Sequence, residues 1–272
     1  MNDIAAVHRA PASVAAAQAQ KWPQRLWIVR HGQSAGNVAR DAAESARATW
    51  IDLATRDVDT PLSALGERQS RALGDWFAAL PESGRPTAVL SSPYLRSMRS
   101  AELIVEGLGG EGRAPAIVAD ERLREKEFGI LDRMTVHGIK QTYPSLSEQR
   151  QHVGKFYFRP PGGESWCDVI LRLRSVLDTL TREYSRQSVL IVAHQVVVNC
   201  FRYLFERMTE AEVLALDREG DVPNCGVTFY EFDPRQGAKG KLALRLSNFV
   251  APLLEGGAAV TSAPDVPAAP KS

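Results

Sequence analysis

The sequence has few cysteines, no long apolar run and almost no net charge. Its 272 residues include three widely spaced cysteines without a CxxC pair, which favours a reduced, cytoplasmic protein over a disulfide-rich or zinc-binding one. No apolar run approaches the length of a membrane span, which argues against a membrane protein. The formal net charge of +1 gives no reason to expect binding to nucleic acid or to an anionic membrane. Any affinity for an anion must therefore come from cations placed locally.

The two ends of the chain differ in composition from its middle. Residues 1–23 are rich in alanine but interrupted by Arg9 and Pro11, so they lack the continuous apolar segment of a signal peptide. Residues 253–272 are rich in alanine, proline and glycine, a composition typical of a flexible tail. We therefore expect two flexible tails on either side of one domain over 24–252.

Apolar runs alternate with helical patterns along this domain. The strand patterns lie at 25–30, 87–91, 188–193, 227–232 and 241–246, and the last two alternate as edge or antiparallel strands do. The helical patterns lie at 63–79, 95–108, 165–185 and 196–207, with serine N-caps at Ser63 and Ser165. Alternation of this kind predicts an α/β sandwich. The polar stretch 131–160 is predicted to form a small insertion beside the sheet edge.

Reactive or charged side chains occur at or just after the ends of the three predicted parallel strands. One more lies between the second and the third of these strands. In chain order these residues are Arg30, His31, Arg96, Glu125 and His194. The carboxyl edge of an open α/β sheet is where ligands usually bind. Each residue alone has an ordinary structural explanation, as a surface charge or a buried histidine. Their joint placement predicts that they converge on one site.

Five motifs, in this order along the chain, resemble those of the histidine phosphatase superfamily, the phosphoglycerate-mutase-like fold. RHGQSAGN is similar to the family's nucleophile motif, SSPYLRSMRSAE to its second-arginine motif, and LREKEFG to its acid motif. PPGGES and IVAHQ are similar to its pre-helix turn and its second-histidine motif. The resemblance covers about residues 25–233. It implies a three-layer α/β/α sandwich with a mostly parallel central sheet.

The resemblance also implies roles in phosphoryl transfer. His31 matches the nucleophile that forms a phosphohistidine intermediate. Glu125 matches the general acid that protonates the leaving alcohol and then deprotonates the attacking water, with Glu127 as the alternative acid. The residues that match phosphate ligands are Arg30, Arg96, His194 and Asn37. No metal ion and no other cofactor is implied.

A more local resemblance joins residues 143–200 to the bisphosphatase half of the bifunctional fructose-2,6-bisphosphate enzyme. Gln195 follows the second histidine in both, where most relatives have glycine, and Lys155 matches a lysine that binds the distal phosphate. Arg150 lies one residue from an expected arginine. Tyrosines or arginines of that enzyme are replaced here at Val136, Gln151, Trp166 and Asn199. We therefore expect a phosphomonoester whose polar or anionic distal part contacts Gln195, Lys155 and Arg159.

The motifs favour a metal-independent phosphatase, and two other functions stay open. Phosphoglycerate mutases carry an aromatic-Gly-Leu-x-Gly-x-Asn-Lys stretch, and EFGILDRMTVHGIK stands in its place, which favours hydrolysis over mutase-type transfer. Retention of all five reactive groups argues against a non-catalytic protein that only binds phosphorylated ligands. The expected partner is a small phosphorylated substrate, not nucleic acid or a membrane. A homodimer is left open, because the sequence carries no mark of one.

Overall fold

The computed structural model describes residues 20–109 and 114–262 of the chain. The strands in these residues are β1 (Arg25–Arg30), β2 (Ala88–Ser91), β3 (Ile117–Ala119), β4 (Ser188–Ala193), β5 (Val227–Asp233) and β6 (Lys241–Phe249). The helices are α1 (Ala35–Ser45), α2 (Ala64–Ala79), α3 (Leu95–Gly107), α4 (Val136–Thr142), α5 (Pro144–Val153), α6 (Trp166–Glu183), α7 (Gln195–Glu206), α8 (Glu210–Glu219) and α9 (Ala251–Glu255). The five predicted strands and four predicted helices are confirmed, with their ends shifted by up to three residues.

The six strands form one mixed sheet in the order β3-β2-β4-β1-β5-β6. The first four are parallel, whereas β5 runs antiparallel to β1 and β6 runs antiparallel to β5. Every residue of β4 is buried, because this strand lies between β2 and β1 and is covered on both faces. The predicted antiparallel pairing of β5 is confirmed, but β6 occupies the sheet edge.

Helices cover both faces of the sheet, so the protein is a three-layer sandwich. Alternate residues of β1 point to opposite faces. Leu26 and Ile28 belong to a core cluster with apolar residues of α6 and α7. Trp27 and Val29 belong to a second cluster with residues of α2, α3 and α9. The predicted α/β sandwich with a mostly parallel sheet is therefore confirmed.

The predicted insertion at 131–160 contains α4 and α5 and a small apolar cluster of its own. That cluster is formed by Leu131, Met134, Ile139 and Phe158. The backbone N–H of Ile51 donates to the carbonyl oxygen of Arg133 at 2.8 Å, which joins the insertion to the chain after α1. The sequence pattern did not predict these two helices because few apolar residues repeat at helical spacing in them.

The domain extends further at its C-terminal end than the predicted boundary at residue 252. Leu253 is completely buried in the cluster with α2 and α3. The amide of Gln69 donates to the carbonyl oxygen of Ala259 at 2.8 Å, and the N–H of Asn224 donates to that of Thr261 at 2.8 Å. The prediction of a flexible tail is therefore wrong for residues 253–262. The buried Leu253 and hydrogen bonds to two backbone carbonyls anchor this segment despite its Ala/Pro/Gly composition.

The N-terminal boundary also moves outward, by four residues. Gln20 is buried, and its amide donates to the carbonyl oxygen of Trp22 at 3.0 Å. The Trp22 ring packs edge-on against Phe205 at 5.9 Å between ring centroids. The predicted tails over 1–19 and 263–272 lie outside the described residues. None of the helices in the described part combines the length and the apolar composition of a membrane span.

Candidate active site

His31 and His194 lie side by side at the carboxyl ends of β1 and β4. The two strands are adjacent and parallel, with Arg30 opposite Ala193, so the residue that follows each strand reaches the same place. The N–H of His31 donates to the carbonyl oxygen of Ala193 at 2.9 Å. The two imidazole centroids are 5.1 Å apart, and both side chains are completely buried. The convergence predicted from the strand ends is found in the structure.

The hydrogen bonds of His31 fix which ring nitrogen carries the proton. Its Nδ1 lies 2.7 Å from the carbonyl oxygen of Gly32, and a carbonyl oxygen can only accept, so Nδ1 is the protonated nitrogen. The Nε–H of Arg96 points at Nε2 of His31 at 3.2 Å, which agrees with a lone pair on Nε2. His31 therefore presents a nucleophilic nitrogen toward a guanidinium group.

Gly32 lets the loop after β1 pack against the first turn of α2. A Cβ atom at Gly32 would lie 2.4 Å from the carbonyl oxygen of Gly66 and 2.9 Å from Oγ of Ser70. A Cβ at Gly66 would in turn lie 2.0 Å from the carbonyl oxygen of Gln33. The N–H of Gly32 also donates to Oγ of Ser100 on α3 at 3.0 Å. The carbonyl that orients His31 is therefore held between two helices.

Arg96 lies in the first turn of α3 and is positioned by Asp57. One guanidinium N–H donates to the carbonyl oxygen of Asp57 at 2.6 Å, and another to its Oδ2 at 3.2 Å. The Tyr94 ring lies 5.0 Å from the centre of the guanidinium. Arg96 is 2% exposed, so little conformational freedom remains to it. No sequence pattern pointed to Asp57, which lies in a short turn after α1.

The segment 222–224 forms hydrogen bonds with Arg30, His31 and Asn37. The guanidinium of Arg30, which is completely buried, donates to the carbonyl oxygen of Val222. The amide of Asn224 donates to the carbonyl oxygen of His31 at 3.1 Å and to Oδ1 of Asn37 at 3.4 Å. The predicted phosphate ligands Arg30 and Asn37 therefore lie around the nucleophile. Asn224 belongs to no motif and was missed by the sequence analysis.

Two serines contact the imidazole of His194. Its Nε2 lies 2.8 Å from Oγ of Ser92, which follows β2, and 3.3 Å from Oγ of Ser97 in the first turn of α3. The Tyr94 ring packs edge-on against the imidazole at 5.1 Å between centroids. Both serines belong to the SSPYLRSMRSAE motif, but their position next to His194 could be seen only in the fold.

Of the two candidate acids, Glu125 is the buried one. Its carboxylate is completely buried and accepts from the backbone N–H of Lys126 at 2.8 Å and that of Val196 at 3.5 Å. Val196 lies two residues after His194, so Glu125 contacts the N-terminal end of α7, where this helix follows His194. The carboxylate of Glu127 is about half exposed and accepts from the Tyr94 hydroxyl at 2.9 Å. Glu125 is therefore the candidate acid that lies inside the protein next to the start of α7, and Glu127 lies nearer the surface.

The family model of the histidine phosphatase superfamily (branch 1) matches residues 26–243 of this chain. The chain belongs to the histidine phosphatase superfamily. The match contains both histidines, both arginines and Glu125, and it covers the whole sheet except Arg25 of β1 and most of β6.

Two curated relatives of this chain have names that refer to different activities. A 6-phosphofructo-2-kinase/fructose-2,6-bisphosphatase of Caenorhabditis elegans is 27% identical over 223 residues, which is 79% of this chain. That alignment spans only 43% of the worm protein's own length. The phosphoglycerate mutase-like protein AT74H of Arabidopsis thaliana is 28% identical over 253 residues, covering 86% of this chain and 82% of that protein.

Solved structures with the same fold include several phosphatases. A mycobacterial glucosyl-3-phosphoglycerate phosphatase in complex with inorganic phosphate aligns with a TM-score of 0.62 and 24% identity, over 84% of this chain and 99% of the other. The alpha-ribazole phosphatase of Shigella flexneri aligns with a TM-score of 0.63 and 20% identity, over 83% and 98%. At these identities the likeness shows the shared fold.

The three residues predicted to contact a distal part of the substrate each have an acidic partner within the protein. Lys155 forms an ion pair with Asp217, and the amide of Gln195 donates to Oδ1 of Asp221 at 2.8 Å. Arg159 is largely exposed and pairs with Asp168, the carboxylate that also accepts from the N-cap Ser165 of α6. Lys155 and Gln195 lie near the site, whereas the described contacts of Arg159 belong to a helix start.

Two of the predicted phosphate ligands, Asn37 and Arg96, border a cavity. A small cavity of about 30 Å³ is lined by residues that include Asn37, Asp57 and Arg96. A wider recess of about 550 Å³ continues from it past Ile51 and reaches the half-exposed Trp50. Within the described ranges, 20–109 and 114–262, no group of three or more His, Cys, Asp or Glu side chains is placed to hold a metal ion.

Proposed function

We propose that this chain is a metal-independent phosphatase that hydrolyses a small phosphomonoester, such as a sugar phosphate or bisphosphate, through a phosphohistidine on His31. One observation carries the proposal: Nδ1–H of His31 is bound to the Gly32 carbonyl, and Nε2 faces the guanidinium of Arg96. A neutral imidazole held in this tautomer is ready to attack phosphorus, and an arginine already stands where the phosphoryl oxygens would lie.

In the first step, the Nε2 lone pair of His31 forms a bond to phosphorus as the bond between phosphorus and the alcohol oxygen breaks. The leaving oxygen takes a proton from the carboxyl of Glu125, which must be protonated at this stage. The His31 ring becomes cationic, and the Gly32 carbonyl that accepts from Nδ1–H stabilises this charge. The products are the free alcohol and the phosphohistidine.

In the second step, water replaces His31 on phosphorus. The carboxylate of Glu125 takes a proton from the water as its oxygen bonds to phosphorus. The bond between phosphorus and Nε2 breaks, and the ring recovers its neutral form with the proton still on Nδ1. Inorganic phosphate leaves and Glu125 is again protonated, so the cycle closes without a further reactant.

Buried cations stabilise the charge that the phosphoryl group carries in both steps. Arg30 and Arg96 are almost fully shielded from water, where fixed positive charges interact more strongly with an anion than at the surface. The fork of a guanidinium can also bind two oxygens of one phosphoryl group at once. His194, next to His31, adds a ring nitrogen within reach of the same group.

Cysteine chemistry offers no competing nucleophile in this account. Cys200 and Cys225 are buried thiols. Burial raises the pKa of Cys225 to about 12 and that of Cys200 well above its usual value, so both stay protonated near neutral pH. All three cysteines are free, which supports the proposal of a reducing, cytoplasmic location.

A phosphate-release assay tests the proposal. Sugar phosphates, bisphosphates, phosphoglycerates and nucleotides are incubated with the protein in the presence of EDTA, with the His31→Ala variant beside the wild type. His137→Ala, which changes a histidine on α4 that has no role in the proposed mechanism, is the matched control. Release that persists in EDTA, stays in His137→Ala and vanishes in His31→Ala is expected. Release that requires an added metal ion, or that survives in His31→Ala, would contradict the proposal.

Product analysis distinguishes hydrolysis from mutase-type transfer. The protein is given 3-phosphoglycerate with a bisphosphoglycerate primer, and the products are separated. We expect inorganic phosphate and the dephosphorylated acid, because water reaches the phosphohistidine. Conversion to 2-phosphoglycerate without phosphate release would assign the mutase reaction instead.

A further inference from the structure

The recess beside the phosphate ligands leads to an exposed tryptophan. Four residues line both the small cavity next to Arg96 and the wider recess of about 550 Å³, namely Ile51, Leu53, Asp132 and Arg133. The two spaces therefore share a wall, and a molecule whose phosphate lies at Arg96 can extend into the recess. Trp50 also lines the recess, and its side chain is 53% exposed.

The backbone that carries Trp50 is held by the insertion. Trp50 and Met134 form an isolated antiparallel bridge, and the N–H of Thr135 donates to the carbonyl oxygen of Thr49 at 3.2 Å. A Cβ atom at Gly138 would lie 2.0 Å from the same carbonyl oxygen, so the first turn of α4 packs directly against this backbone. The position of Trp50 is therefore fixed before a ligand binds, which limits the conformational entropy that binding costs.

The segment that follows the candidate acid forms another part of the wall. Gly129 lies four residues after Glu125 and lines the recess. Its φ is 56°, and a Cβ atom there would lie 2.1 Å from the carbonyl oxygen of Pro161, so only glycine fits this approach. The N–H of Ile130 donates to the same carbonyl oxygen at 3.0 Å. The recess therefore has a fixed wall on the side of the acid as well.

The charges around the recess do not favour a second anionic group. Among the described residues its charged lining consists of Asp52, Asp132 and Arg133. Nε of Arg133 lies 3.8 Å from the carboxylate of Asp132, and the guanidinium donates to the carbonyl oxygen of Leu53 at 2.9 Å. Burial raises the pKa of Asp132, and the negative charge of Asp57 raises it further. The recess therefore offers no excess of positive charge to an anion.

The contacts that the sequence predicted for a distal group are used within the protein. Lys155 pairs with Asp217, and the amide of Gln195 donates to Oδ1 of Asp221 at 2.8 Å. These occupied contacts and the acidic lining of the recess both argue against a substrate with a second phosphate or a carboxylate. The exposed indole instead offers a flat apolar surface to an uncharged group.

We propose that Trp50 is a specificity-determining residue that binds the leaving alcohol of the substrate, and that this alcohol carries an uncharged ring. The inference rests on the proposed function, because Arg96 and Glu125 mark where the phosphoryl group and its leaving oxygen lie. A sugar ring fits the lining, since its C–H face packs on an indole and its hydroxyl groups donate to a carboxylate such as that of Asp132. The proposal narrows the substrate class by excluding bisphosphates.

Three related 6-phosphates test the role of Trp50. Glucose 6-phosphate contains a ring, sorbitol 6-phosphate is its reduced open-chain form, and 6-phosphogluconate is an open chain that ends in a carboxylate. The values of kcat and KM are measured for the wild type, Trp50→Ala and Trp50→Phe. Tyr157→Ala removes another aromatic side chain, which is 54% exposed, and is the matched control.

We expect the wild type to prefer glucose 6-phosphate over sorbitol 6-phosphate by about tenfold in kcat/KM, the upper range for one aromatic packing contact. This ratio should fall toward one in Trp50→Ala, through a higher KM for glucose 6-phosphate, and be largely kept in Trp50→Phe and Tyr157→Ala. A purely structural role would lower both substrates equally and leave the ratio intact. A wild-type ratio near one, or a ratio that Trp50→Ala keeps, would overturn the proposal.

The pair of open-chain compounds tests the charge of the recess. They differ by a carboxylate in place of a hydroxymethyl group, so the wild type should prefer sorbitol 6-phosphate over 6-phosphogluconate by about threefold or more. Asp132→Asn removes a negative charge from the wall and should reduce this preference. Equal use of the two compounds by the wild type, or a preference for 6-phosphogluconate, would contradict an uncharged leaving group.

Binding measurements separate this inference from the proposed function. If the wild type hydrolyses none of the three compounds, the phosphatase proposal fails for them, and calorimetry then decides the role of Trp50. Weaker binding of glucose 6-phosphate to Trp50→Ala than to the wild type, with sorbitol 6-phosphate bound equally by both, would support that role without turnover. Equal binding of glucose 6-phosphate by the two proteins, or no binding at all, would overturn it.

Discussion

The Nε atom of Arg96 lies 3.2 Å from Nε2 of His31, on the side where His31 presents its lone pair. The guanidinium is fixed there from behind by Asp57, through a backbone carbonyl at 2.6 Å and a carboxylate at 3.0 Å. A phosphoryl group that His31 attacks must enter next to this guanidinium. In the proposed mechanism, the same contact therefore positions the nucleophile and a charge that stabilises the transition state.

The first prediction concerns the shape of that cation. Arg96→Lys keeps the positive charge but loses the fork that contacts Asp57 and His31 together. We expect kcat/KM to fall by about 10²–10³-fold, as for loss of one transition-state donor. Steady-state phosphate release measures it. Arg99→Lys, on the same helix but paired with Glu102 at the surface, is the control and should change the rate less than about twofold.

The second prediction decides between the two candidate acids. Glu125→Gln removes the buried carboxyl, and we expect turnover of glycerol 3-phosphate to fall by about 10²–10⁴-fold. p-Nitrophenolate leaves without a proton, so p-nitrophenyl phosphate should still give a rapid burst of one equivalent before slow turnover. Glu127→Gln is the matched variant, since Glu127 is half exposed and bound to Tyr94. A larger loss in Glu127→Gln than in Glu125→Gln would reverse the assignment.

The third prediction concerns the packing behind His31. Gly32→Ala would place a Cβ atom 2.4 Å from the Gly66 carbonyl oxygen, so α2 must shift away. We expect the free energy of unfolding to fall by about 1–3 kcal/mol, as in other overpacked sites. Urea unfolding followed by circular dichroism measures it. At Gly220 the backbone is extended and no atom lies within 4 Å of an added Cβ, so Gly220→Ala should change the stability by less than about 0.5 kcal/mol.

Five of the six strands and the five reactive residues could be predicted from the sequence, because both depend on local patterns; the short edge strand β3 was missed. Apolar runs of buried strands such as β4 are recognisable by themselves, and the residues after them must meet at one edge of a parallel sheet. The pair of His31 and His194 follows from this rule alone. Helices α4 and α5 could not be predicted in the same way, since their few apolar residues pack only within the insertion.

Most of the residues that position the site could not be predicted from the sequence. Asp57 and Asn224 lie in irregular segments, and their contacts to Arg96 and His31 join residues 39 and 193 positions apart. Lys126 reads as one charge within the charged run LREKE. Only the fold shows that its side chain is buried, next to the Phe128 ring.

The most direct test of the central claim is to trap the phosphoenzyme. The protein is mixed with a ³²P-labelled substrate from the release assay, quenched within milliseconds under alkaline conditions, and digested for mass spectrometry. We predict an acid-labile phosphate on His31 in the wild type, a larger amount of it in Glu125→Gln when the leaving group is p-nitrophenolate, and none in His31→Ala. Turnover without any phosphoenzyme, or a phosphate carried by His194 or another residue, would contradict the account.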